Sequence, residues 1–322
     1  MDIVLVGCRG FGKEHLRIYS KLGYDVAIVE RDPEEARRCM EQFRISKVYE
    51  NYEDALRSNA DIIDLVVPDG LHYEMGTLAI RAKKNLLVEK PITPDIDSGI
   101  SLIQQANESK LKFMVAEQFY FDPSVAEAIR RIKNGEIGTP HTVIVRHQSY
   151  RKLEGWRNEK GMVGRGILID EGTHYIDTLL NFGGNFRSLR SFVHRTWDYV
   201  GEDTAEAVFN FENGMHGIFF YSWYYPEYPL IPEFEIIGDN GSIYEDVGTK
   251  PLEPWTQRKR KTAYGDIIVN GKHIPVETYD VIEKEIGGFL ESVEKDEPVP
   301  MPPEIALRDI ITIDRIYKAS SD

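Results

Sequence analysis

Apolar runs and segments of helical spacing alternate along the first part of the chain. The apolar runs, which are typical of strands buried on both faces of a parallel sheet, cover residues 2–7, 24–30, 61–68, 85–89 and 111–117. Apolar positions at helical spacing between them predict helices over residues 12–23, 32–43, 71–83 and 97–109. Strands that alternate with helices predict βαβ units, and therefore a doubly wound parallel sheet with right-handed crossovers.

The pattern changes after residue 120, where segments that read as antiparallel strands follow a predicted helix over residues 123–136. The strand-like segments cover residues 141–150, 188–196, 204–211 and 215–225. Asn-Gly pairs at 213–214 and 270–271 each separate two strand-like runs, which predicts hairpins. Further helices are predicted at residues 170–182, 279–294 and 303–319.

These patterns predict an α/β protein of two domains. Residues 1–120 are expected to form an N-terminal Rossmann domain with a doubly wound parallel sheet. Residues 121–322 are expected to form a C-terminal α+β domain with a large open, mainly antiparallel sheet. The length of 322 residues agrees with two domains, and 42% hydrophobic with 29% charged residues is ordinary for a globular chain.

Charge and cysteine content exclude several classes of function. The net charge of −14, from 39 basic and 53 acidic residues, argues against a nucleic-acid partner, and the basic run at 256–262 is interpreted as a solvated loop. No apolar run approaches the roughly 18 residues of a membrane span, and no signal peptide is expected. Only two cysteines occur, and no Cys/His cluster has zinc spacing. We therefore expect a cytoplasmic protein with no metal site and no membrane partner.

A glycine-rich turn separates the first predicted strand from the first helix. Gly7 and Gly12 match the first and last positions of the dinucleotide fingerprint G-x-G-x-x-G. Arg9 stands at the middle glycine position, and Gly10 and Phe11 follow it. The pattern alone is weak, because any tight strand–helix turn uses glycine. Its position between a strand and a helix N-terminus predicts that these five residues hold a dinucleotide phosphate.

Glu30 ends the second predicted strand, 18 positions after Gly12. A carboxylate there can bond the ribose hydroxyls and repels a 2′-phosphate, which favours NAD. Arg31 follows directly and keeps NADP as the alternative, since an arginine nearby can hold a 2′-phosphate. The competing interpretation is that both are surface charges at a strand end.

Polar residues also follow the third and fourth predicted strands. Pro68, Asp69 and His72 follow the third, either as an ordinary turn or as cofactor contacts, because ligands of open α/β sheets bind beyond the carboxyl ends of the strands. Glu89 and Lys90 end the fourth, and the following proline favours extended backbone at Lys90. An exposed lysine in a loop is the competing interpretation. We predict that Lys90 points at the cofactor edge, with Glu89 as its ion-pair partner or facing the nicotinamide.

Asp170, His174 and Asp177 share one face of the helix predicted at 170–182, at i, i+4 and i+7. A carboxylate one turn from a histidine can orient it and favour its protonated form, which makes His174 a candidate general acid/base. The competing interpretation is that Asp170 caps the helix and His174 lies on the surface.

At these residues the chain resembles the Gfo/Idh/MocA family, named for glucose-fructose oxidoreductase and inositol 2-dehydrogenase. The resemblance extends over essentially the whole chain and is most specific in the first 180 residues. Its hallmark is Glu-Lys-Pro after the fourth predicted strand. The accompanying motifs are the glycine turn, a Pro-Asn-x-x-His-like turn at 68–72, GEIG at 135–138, Trp156-Arg157, and a D-x-x-x-H helix.

The family resemblance implies an NAD(P)-linked oxidoreductase for a sugar, a polyol or a related carbonyl or alcohol. It implies that Lys90 bonds the reacting oxygen and shares in proton transfer. It also implies that His174 is the main acid/base and that Asp170 holds His174 and binds substrate. It also implies a cis Lys-Pro bond. Gln118, Trp156 and Arg157 would join the cofactor site.

The resemblance further implies that the second domain binds substrate and joins subunits into a homodimer or homotetramer. Tyr120 and Asp177 are candidate substrate contacts. The chain departs from the family pattern at Arg9, at Asp69 where many members have Asn, and at Phe119 and Tyr120, where relatives often place an arginine. A strongly anionic substrate is therefore less supported.

The predicted reaction removes a proton from a substrate hydroxyl through His174 while hydride passes to nicotinamide, and Lys90 stabilises the developing alkoxide. One alternative is a non-enzymatic NAD(P)-binding sensor. Another is a redox-assisted hydrolase or lyase with tightly held NAD. The aromatic stretch at 221–234 is open to three interpretations: a sugar pocket, a subunit interface, or ordinary packing within the domain.

Overall fold

A computed structural model describes residues 1–151, 166–196 and 201–320. The chain divides into two compact units. The first unit consists of Met1–Glu117 and Ile282–Leu307, and the second of Gln118–Val281 and Arg308–Asp322.

The described residues form helices and strands whose bounds are as follows. The helices are α1 (Phe11–Leu22), α2 (Pro33–Gln42), α3 (Tyr52–Leu56), α4 (His72–Arg81), α5 (Ile96–Ser109), α6 (Pro123–Lys133), α7 (Ile167–Asp170), α8 (Gly172–Gly183), α9 (Val281–Glu294) and α10 (Pro303–Ala319). The strands are β1 (Ile3–Val6), β2 (Val26–Val29), β3 (Ile45–Tyr49), β4 (Ile62–Leu65), β5 (Asn85–Glu89), β6 (Phe113–Ala116), β7 (Pro140–Gln148), β8 (Phe186–His194), β9 (Thr204–Phe211), β10 (His216–Ser222), β11 (Phe234–Gly238), β12 (Gly241–Glu245), β13 (Ile267–Val269) and β14 (Lys272–Ile274).

The first unit is built on a six-stranded sheet in the order β3-β2-β1-β4-β5-β6, with every neighbouring pair parallel. The residues of β1, β2, β4 and β6 are all buried, as expected for strands covered on both faces. The strand order reverses direction between β1 and β4, which is where open α/β sheets of this order bind dinucleotides. The predicted Rossmann architecture is confirmed.

The sequence predicted five strands in this unit, and the structure has a sixth, β3. This strand pairs only with β2, at the edge of the sheet, and its five residues are half-buried or exposed. A strand with so little burial carries no apolar run, so the hydrophobic pattern could not reveal it.

The second unit contains an eight-stranded sheet in the order β14-β13-β12-β11-β7-β10-β9-β8. Its pairs are antiparallel except β7 with β10, which is parallel. The predicted mainly antiparallel sheet is therefore confirmed. The Asn-Gly pairs form the predicted hairpin turns, and at the second of them Asn270 and Gly271 have φ values of 50° and 75°.

Helix α8 lies against one face of this sheet, beside β7 and β10. Its last residue, Gly183, lies so close to Phe211 that a Cβ atom there would stand 2.2 Å from the phenyl ring. The α8 residue Phe182 packs on Phe234 with ring centroids 5.4 Å apart. Close helix–sheet packing therefore buries most of α8.

Candidate functional site

The glycine turn of the first unit is sterically restricted at two positions. Gly7 has a φ of +92°, and a Cβ atom on it would stand 2.1 Å from the carbonyl oxygen of Val66. A Cβ atom on Gly12 would stand 2.0 Å from the carbonyl oxygen of Gly7. Only glycine fits at both positions, so the turn brings β1 directly onto the start of α1.

The N-terminus of α1 follows this turn. Gly10 is its N-cap residue, with a φ of 53° and no side-chain capping bond, and Phe11 is the first helical residue. A helix N-terminus presents backbone N–H groups and a partial positive charge, which suits a phosphate. Arg9, at the position of the missing glycine, forms an ion pair with Asp32.

Glu30 follows β2, and both of its carboxylate oxygens accept hydrogen bonds. The backbone N–H of Asp32 donates to Oε1 at 3.0 Å, and the Cys8 thiol donates to Oε2 at 3.6 Å. These two contacts tie the carboxylate to the loop after β2 and to the glycine turn. Arg31 next to it is exposed.

The turn after β4 carries the next set of predicted residues. Pro68 precedes a single 3₁₀ turn over Asp69–Leu71, in which Asp69 is buried. His72 begins α4 and is fully buried. Its Nδ1 lies 2.8 Å from the carbonyl oxygen of Pro91 and its Nε2 lies 3.0 Å from that of Val67. His72 thus joins the turn after β4 to the turn after β5.

Lys90 follows the last residue of β5, and its peptide bond to Pro91 is cis, as the family resemblance implied. The backbone N–H of Lys90 donates to Oε2 of Glu89 at 3.2 Å. Lys90 is half-buried, whereas Glu89 is buried. The backbone at Lys90 is therefore held by a hydrogen bond to the side chain of the preceding residue, Glu89.

The sequence did not reveal a buried polar network that includes Glu89, the residue before Lys90. Nδ1 of His15 lies 2.8 Å from Oδ2 of Asp64, and its Nε2 lies 3.2 Å from Oε1 of Glu89. Tyr19 donates to the same Asp64 oxygen at 2.8 Å. Two signals pointed to it: Asp64 interrupts an apolar strand, and His15 and Tyr19 lie one turn apart on the buried face of α1.

Glu285 of α9 adds a further carboxyl group to this part of the unit. Burial raises the pKa of Glu285 well above its usual range, and the negative charge of Glu89 raises it further. Burial and then Asp64 raise the pKa of Tyr19 in the same way. Burial therefore favours the neutral forms of Glu285 and Tyr19.

In the second unit, the helix predicted at 170–182 is interrupted. Asp170 is the last residue of α7, Glu171 follows it, and α8 begins at Gly172. The N-cap position of α8 is Glu171, and no side chain caps the helix. The competing interpretation, in which Asp170 caps the helix, is therefore wrong. Both Asp170 and His174 are buried.

The imidazole of His174 is stacked on the ring of Phe119. Their ring centroids are 4.4 Å apart and their planes differ by 11°. Phe119 belongs to a 3₁₀ turn over Gln118–Phe121, so the segment at the start of the second unit fixes the plane of the histidine. From the sequence, Phe119 is notable only as a departure from the family pattern. The structure places it in contact with the candidate acid/base His174.

Asp177, a candidate substrate contact, is fully buried and paired. Arg308 of α10 donates to its Oδ1 at 2.8 Å, and Asn181 donates to its Oδ2 at 2.9 Å. Tyr120, the other candidate, is half-buried, and burial followed by the charge of Asp177 raises its pKa. Asp177 thus links α8 to α10.

A second polar cluster lies beside α8. The Tyr175 hydroxyl lies 2.9 Å from Nδ1 of His147, which lies 2.5 Å from Oε1 of Glu233. Lys250 lies 2.6 Å from the other oxygen of Glu233. Although burial opposes ionisation, Lys250 and then His147 lower the pKa of Glu233 to about 2. The sequence did not identify this cluster, because its members come from distant strands and loops.

The basic run at 256–262 is engaged within its own loop. Arg258 donates to the carbonyl oxygens of Glu253 and Thr262, and Lys261 donates to that of Trp255. Arg260 pairs with Asp266 at 2.7 Å. Three of the four basic residues of this run, Arg258, Arg260 and Lys261, therefore make local contacts.

Two predicted cofactor residues, Trp156 and Arg157, lie outside the described residues. Within residues 1–151, 166–196 and 201–320, no group of three or more His, Cys, Asp or Glu side chains could hold a metal ion. No helix in that part of the chain is long and apolar enough to cross a membrane.

Comparisons with known proteins agree with the geometry. Residues 1–117 match a family profile described as an oxidoreductase family with an NAD-binding Rossmann fold, and residues 125–244 match the GFO/IDH/MocA C-terminal domain. D-apiose dehydrogenase of Paraburkholderia graminis is 24% identical over 218 residues, which cover 66% of this chain and 58% of the relative. Levoglucosan dehydrogenase of Pseudarthrobacter phenanthrenivorans is 26% identical over 224 residues, which cover 61% of this chain and 54% of the relative. The match thus spans little more than half of the length of these relatives.

The fold is similar to that of a solved oxidoreductase from Thermotoga maritima, with a TM-score of 0.88. The two are 22% identical, and the likeness covers 99% of this chain and 96% of the other. Family profiles in both halves of the chain, on the predicted two-sheet fold, confirm the family resemblance. The chain therefore belongs to the Gfo/Idh/MocA family of oxidoreductases, and its first unit is an NAD-binding Rossmann domain.

Proposed function

We propose that this protein is an NAD-dependent dehydrogenase or reductase that acts on a CH–OH or carbonyl group of a sugar, a polyol or a related compound. One observation carries the proposal: the glycine turn, Glu30 and Lys90 follow the carboxyl ends of β1, β2 and β5 in one parallel sheet. That edge is where open α/β sheets bind their ligands. The names of the D-apiose and levoglucosan dehydrogenases support a sugar-like substrate.

The first unit fits the proposed cofactor. The turn at Gly7 and Gly12 has no room for a side chain, and it leads to a helix N-terminus without a side-chain cap, as a phosphate site requires. Glu30 is held by two donors and can accept from ribose hydroxyls, while its charge opposes a 2′-phosphate. Because Arg9 is paired with Asp32, NAD is the proposed cofactor and NADP the alternative.

Further cofactor contacts are proposed from the family resemblance, around the turns after β4 and β5 and beyond. They are Arg31, Pro68, Asp69, His72, Glu89, Gln118, Trp156 and Arg157. For His72 the described contacts are with two backbone carbonyls, which supports a role in holding the turns.

The chemistry is assigned to three side chains. Bound NAD would accept or supply the hydride. We propose that the Lys90 ammonium stabilises the negative charge that develops on the reacting oxygen. We propose that His174 accepts or returns the hydroxyl proton as general base or acid, with Asp170 holding it. The stacking of Phe119 on the imidazole supports a fixed ring plane for that transfer.

The test is a titration of the protein with NADH and NADPH by fluorescence, followed by a screen of sugars and polyols by nicotinamide absorbance. Tighter binding of NADH and a net redox change with at least one sugar or polyol are expected. Cofactor binding without turnover of any compound would favour the sensor. Cofactor that survives purification, with turnover but no net NADH, would favour the redox-assisted hydrolase or lyase.

We also propose that the protein is a cytoplasmic homodimer or homotetramer. One face of the sheet exposes Phe192, Val208 and Ile218, at 54%, 55% and 43% of their surface. Val208 and Ile218 are direct neighbours across β9 and β10, which makes the apolar surface continuous. In the aromatic stretch, Trp223 is buried and Tyr224 exposed, so ordinary packing accounts for part of it. Light scattering tests the assembly, and a monomer would exclude it.

A further inference from the structure

The imidazole of His15 lies between two carboxylates in the interior of the first unit. Asp64 of β4 faces one ring nitrogen at 2.8 Å, and Glu89 of β5 faces the other at 3.2 Å. The His15 and Asp64 side chains have no exposed surface, and that of Glu89 is 10% exposed. The three groups therefore form a continuous hydrogen-bonded path across two neighbouring strands.

This geometry favours a ring that is protonated at both nitrogens. An ionised carboxylate can only accept hydrogen bonds, and a neutral imidazole has only one N–H to donate. When both carboxyl groups are ionised, both contacts are satisfied together only if both ring nitrogens carry hydrogen, which makes His15 a cation. Burial by itself would lower the pKa of His15, but Asp64 and then Glu89 raise it well above the usual value.

The same cation favours the ionised form of the Glu89 carboxyl group. Acidic groups lie around this path: Tyr19 on α1, Glu285 on α9 and Glu117 after β6. Burial and then the charge of Glu89 raise the pKa of Glu285 well above its usual range, whereas the His15 cation lowers it. The His15 cation thus allows Glu89 to remain a buried carboxylate.

Glu89 uses that carboxylate to hold the next residue. Its Oε1 faces His15, and its Oε2 accepts the backbone N–H of Lys90 at 3.2 Å. A carboxylate anchored at one oxygen has little freedom to rotate the other away. The contacts run without interruption from Asp64 through His15 and Glu89 to the backbone of Lys90.

We propose that His15 is a positioning residue for Lys90, acting as a buried imidazolium that fixes Glu89 and through it the backbone on which the lysine is mounted. The proposal rests on the proposed function in so far as Lys90 is the group that meets the reacting oxygen. It assigns His15 no contact with substrate or cofactor. A buried ion pair is weak evidence of a stabilising role. Positioning the backbone of Lys90 is therefore the better explanation for the buried ion pairs of His15.

The variant that tests the proposal is His15→Gln, which keeps one N–H donor group but cannot carry the charge. We expect kcat on a compound found in the sugar and polyol screen to fall by about 10- to 100-fold, because small misplacements of a reacting group cost this much. The dissociation constant for NADH should change by less than about threefold, since the glycine turn and Glu30 are untouched. His141→Gln, at an exposed histidine on β7, is the matched control and should leave kcat unchanged.

A double-mutant cycle shows whether His15 acts through Glu89. If it does, His15→Gln should cost little further kcat in a protein that already carries Glu89→Gln. Full additivity of the two losses would overturn the proposal, as would wild-type kcat in His15→Gln.

Two measurements need no substrate, and so separate this proposal from the proposed function. Nitrogen-15 NMR of the wild-type protein should show His15 with both ring nitrogens protonated at about pH 8, where an ordinary histidine is neutral. The Lys90 amide should exchange its hydrogen faster in His15→Gln, while amides of β1 and β4 stay protected. A neutral His15 ring, or unchanged Lys90 exchange, would overturn the proposal even if the dehydrogenase activity is found. If His15→Gln does not fold, the NMR result on the wild type decides.

Discussion

The Nδ1 atom of His72 lies 2.8 Å from the carbonyl oxygen of Pro91, and so joins the start of α4 to the turn that follows Lys90. The other ring nitrogen lies 3.0 Å from the carbonyl oxygen of Val67. Oε2 of Glu89 accepts the backbone N–H of Lys90, the residue before Pro91. The segment that carries the lysine is therefore attached at both ends by buried polar groups.

Replacing His72 should loosen that segment. In His72→Phe the ring N–H donor that faces the carbonyl oxygens of Val67 and Pro91 is lost, and a buried carbonyl oxygen left without its donor costs about 1–3 kcal/mol. His72→Asn retains one donor and should restore part of the loss. Urea denaturation measures the free energy of unfolding. Equal stability of wild type and His72→Phe would show that these contacts contribute nothing.

Lys90→Ala should abolish most turnover and spare cofactor binding. The substitution removes the only proposed cation at the reacting oxygen, and loss of one such charge-stabilising group typically costs about 100- to 1000-fold in kcat. NADH binding by fluorescence should stay within about threefold of wild type. Lys259→Ala, at an exposed lysine, is the control. Wild-type turnover in Lys90→Ala would exclude the assigned role.

The sequence was sufficient for the parts of the site that local patterns encode. The glycine turn, Glu30 and Lys90 each follow a strand, so periodicity alone predicts all three at one edge of the sheet. The cis Lys90–Pro91 bond came from the family resemblance and is present.

The remainder depends on contacts between residues far apart in the chain. His15 is separated from Asp64 by 49 positions and from Glu89 by 74, and no periodicity connects them. The break at Glu171 interrupts a helix that the apolar pattern predicted to be continuous. The residues on both sides of the break are buried, so the pattern could not reveal it. Such features follow from tertiary packing rather than from local preference.

Glu30→Gln should weaken the preference for NAD over NADP. The amide oxygen can still accept from the N–H of Asp32, but the charge that repels a 2′-phosphate is removed. We expect the ratio of the NADPH to the NADH dissociation constant to fall by about tenfold, with Arg31 free to approach the phosphate. Fluorescence titration measures both constants. A wild-type protein that already binds NADPH more tightly would contradict the assignment of Glu30.

Glu202 should make stability depend on pH. Its Oε1 accepts from the N–H of Leu168 at 2.8 Å and from the Tyr317 hydroxyl at 2.8 Å. Burial raises its pKa from 4.5 to about 7. Between these values the folded protein keeps a proton that the unfolded chain releases, so the contribution of Glu202 to stability is greatest below about pH 4.5 and falls as the pH rises to about 7.

Glu202→Gln keeps the accepting oxygen and cannot ionise. The loss of stability between about pH 4.5 and 7, about 3 kcal/mol for a shift of this size, should therefore disappear in the variant. Urea denaturation of both proteins across this range is the measurement. Parallel pH profiles of wild type and Glu202→Gln would show that Glu202 is ionised in the folded protein throughout.

A comparison of substitutions at Phe119 and Phe182 separates the effect of the stacked ring on catalysis from its contribution to packing. Both are nearly buried, at 8% and 9% exposure, but Phe119 stacks on His174 whereas Phe182 packs on Phe234. Phe119→Leu and Phe182→Leu should each lower the free energy of unfolding by about 1–2 kcal/mol. Only Phe119→Leu should also lower kcat, by about tenfold, because His174 then loses the flat surface that fixes its plane. Equal effects of both variants on kcat would mean that the ring of Phe119 serves only packing.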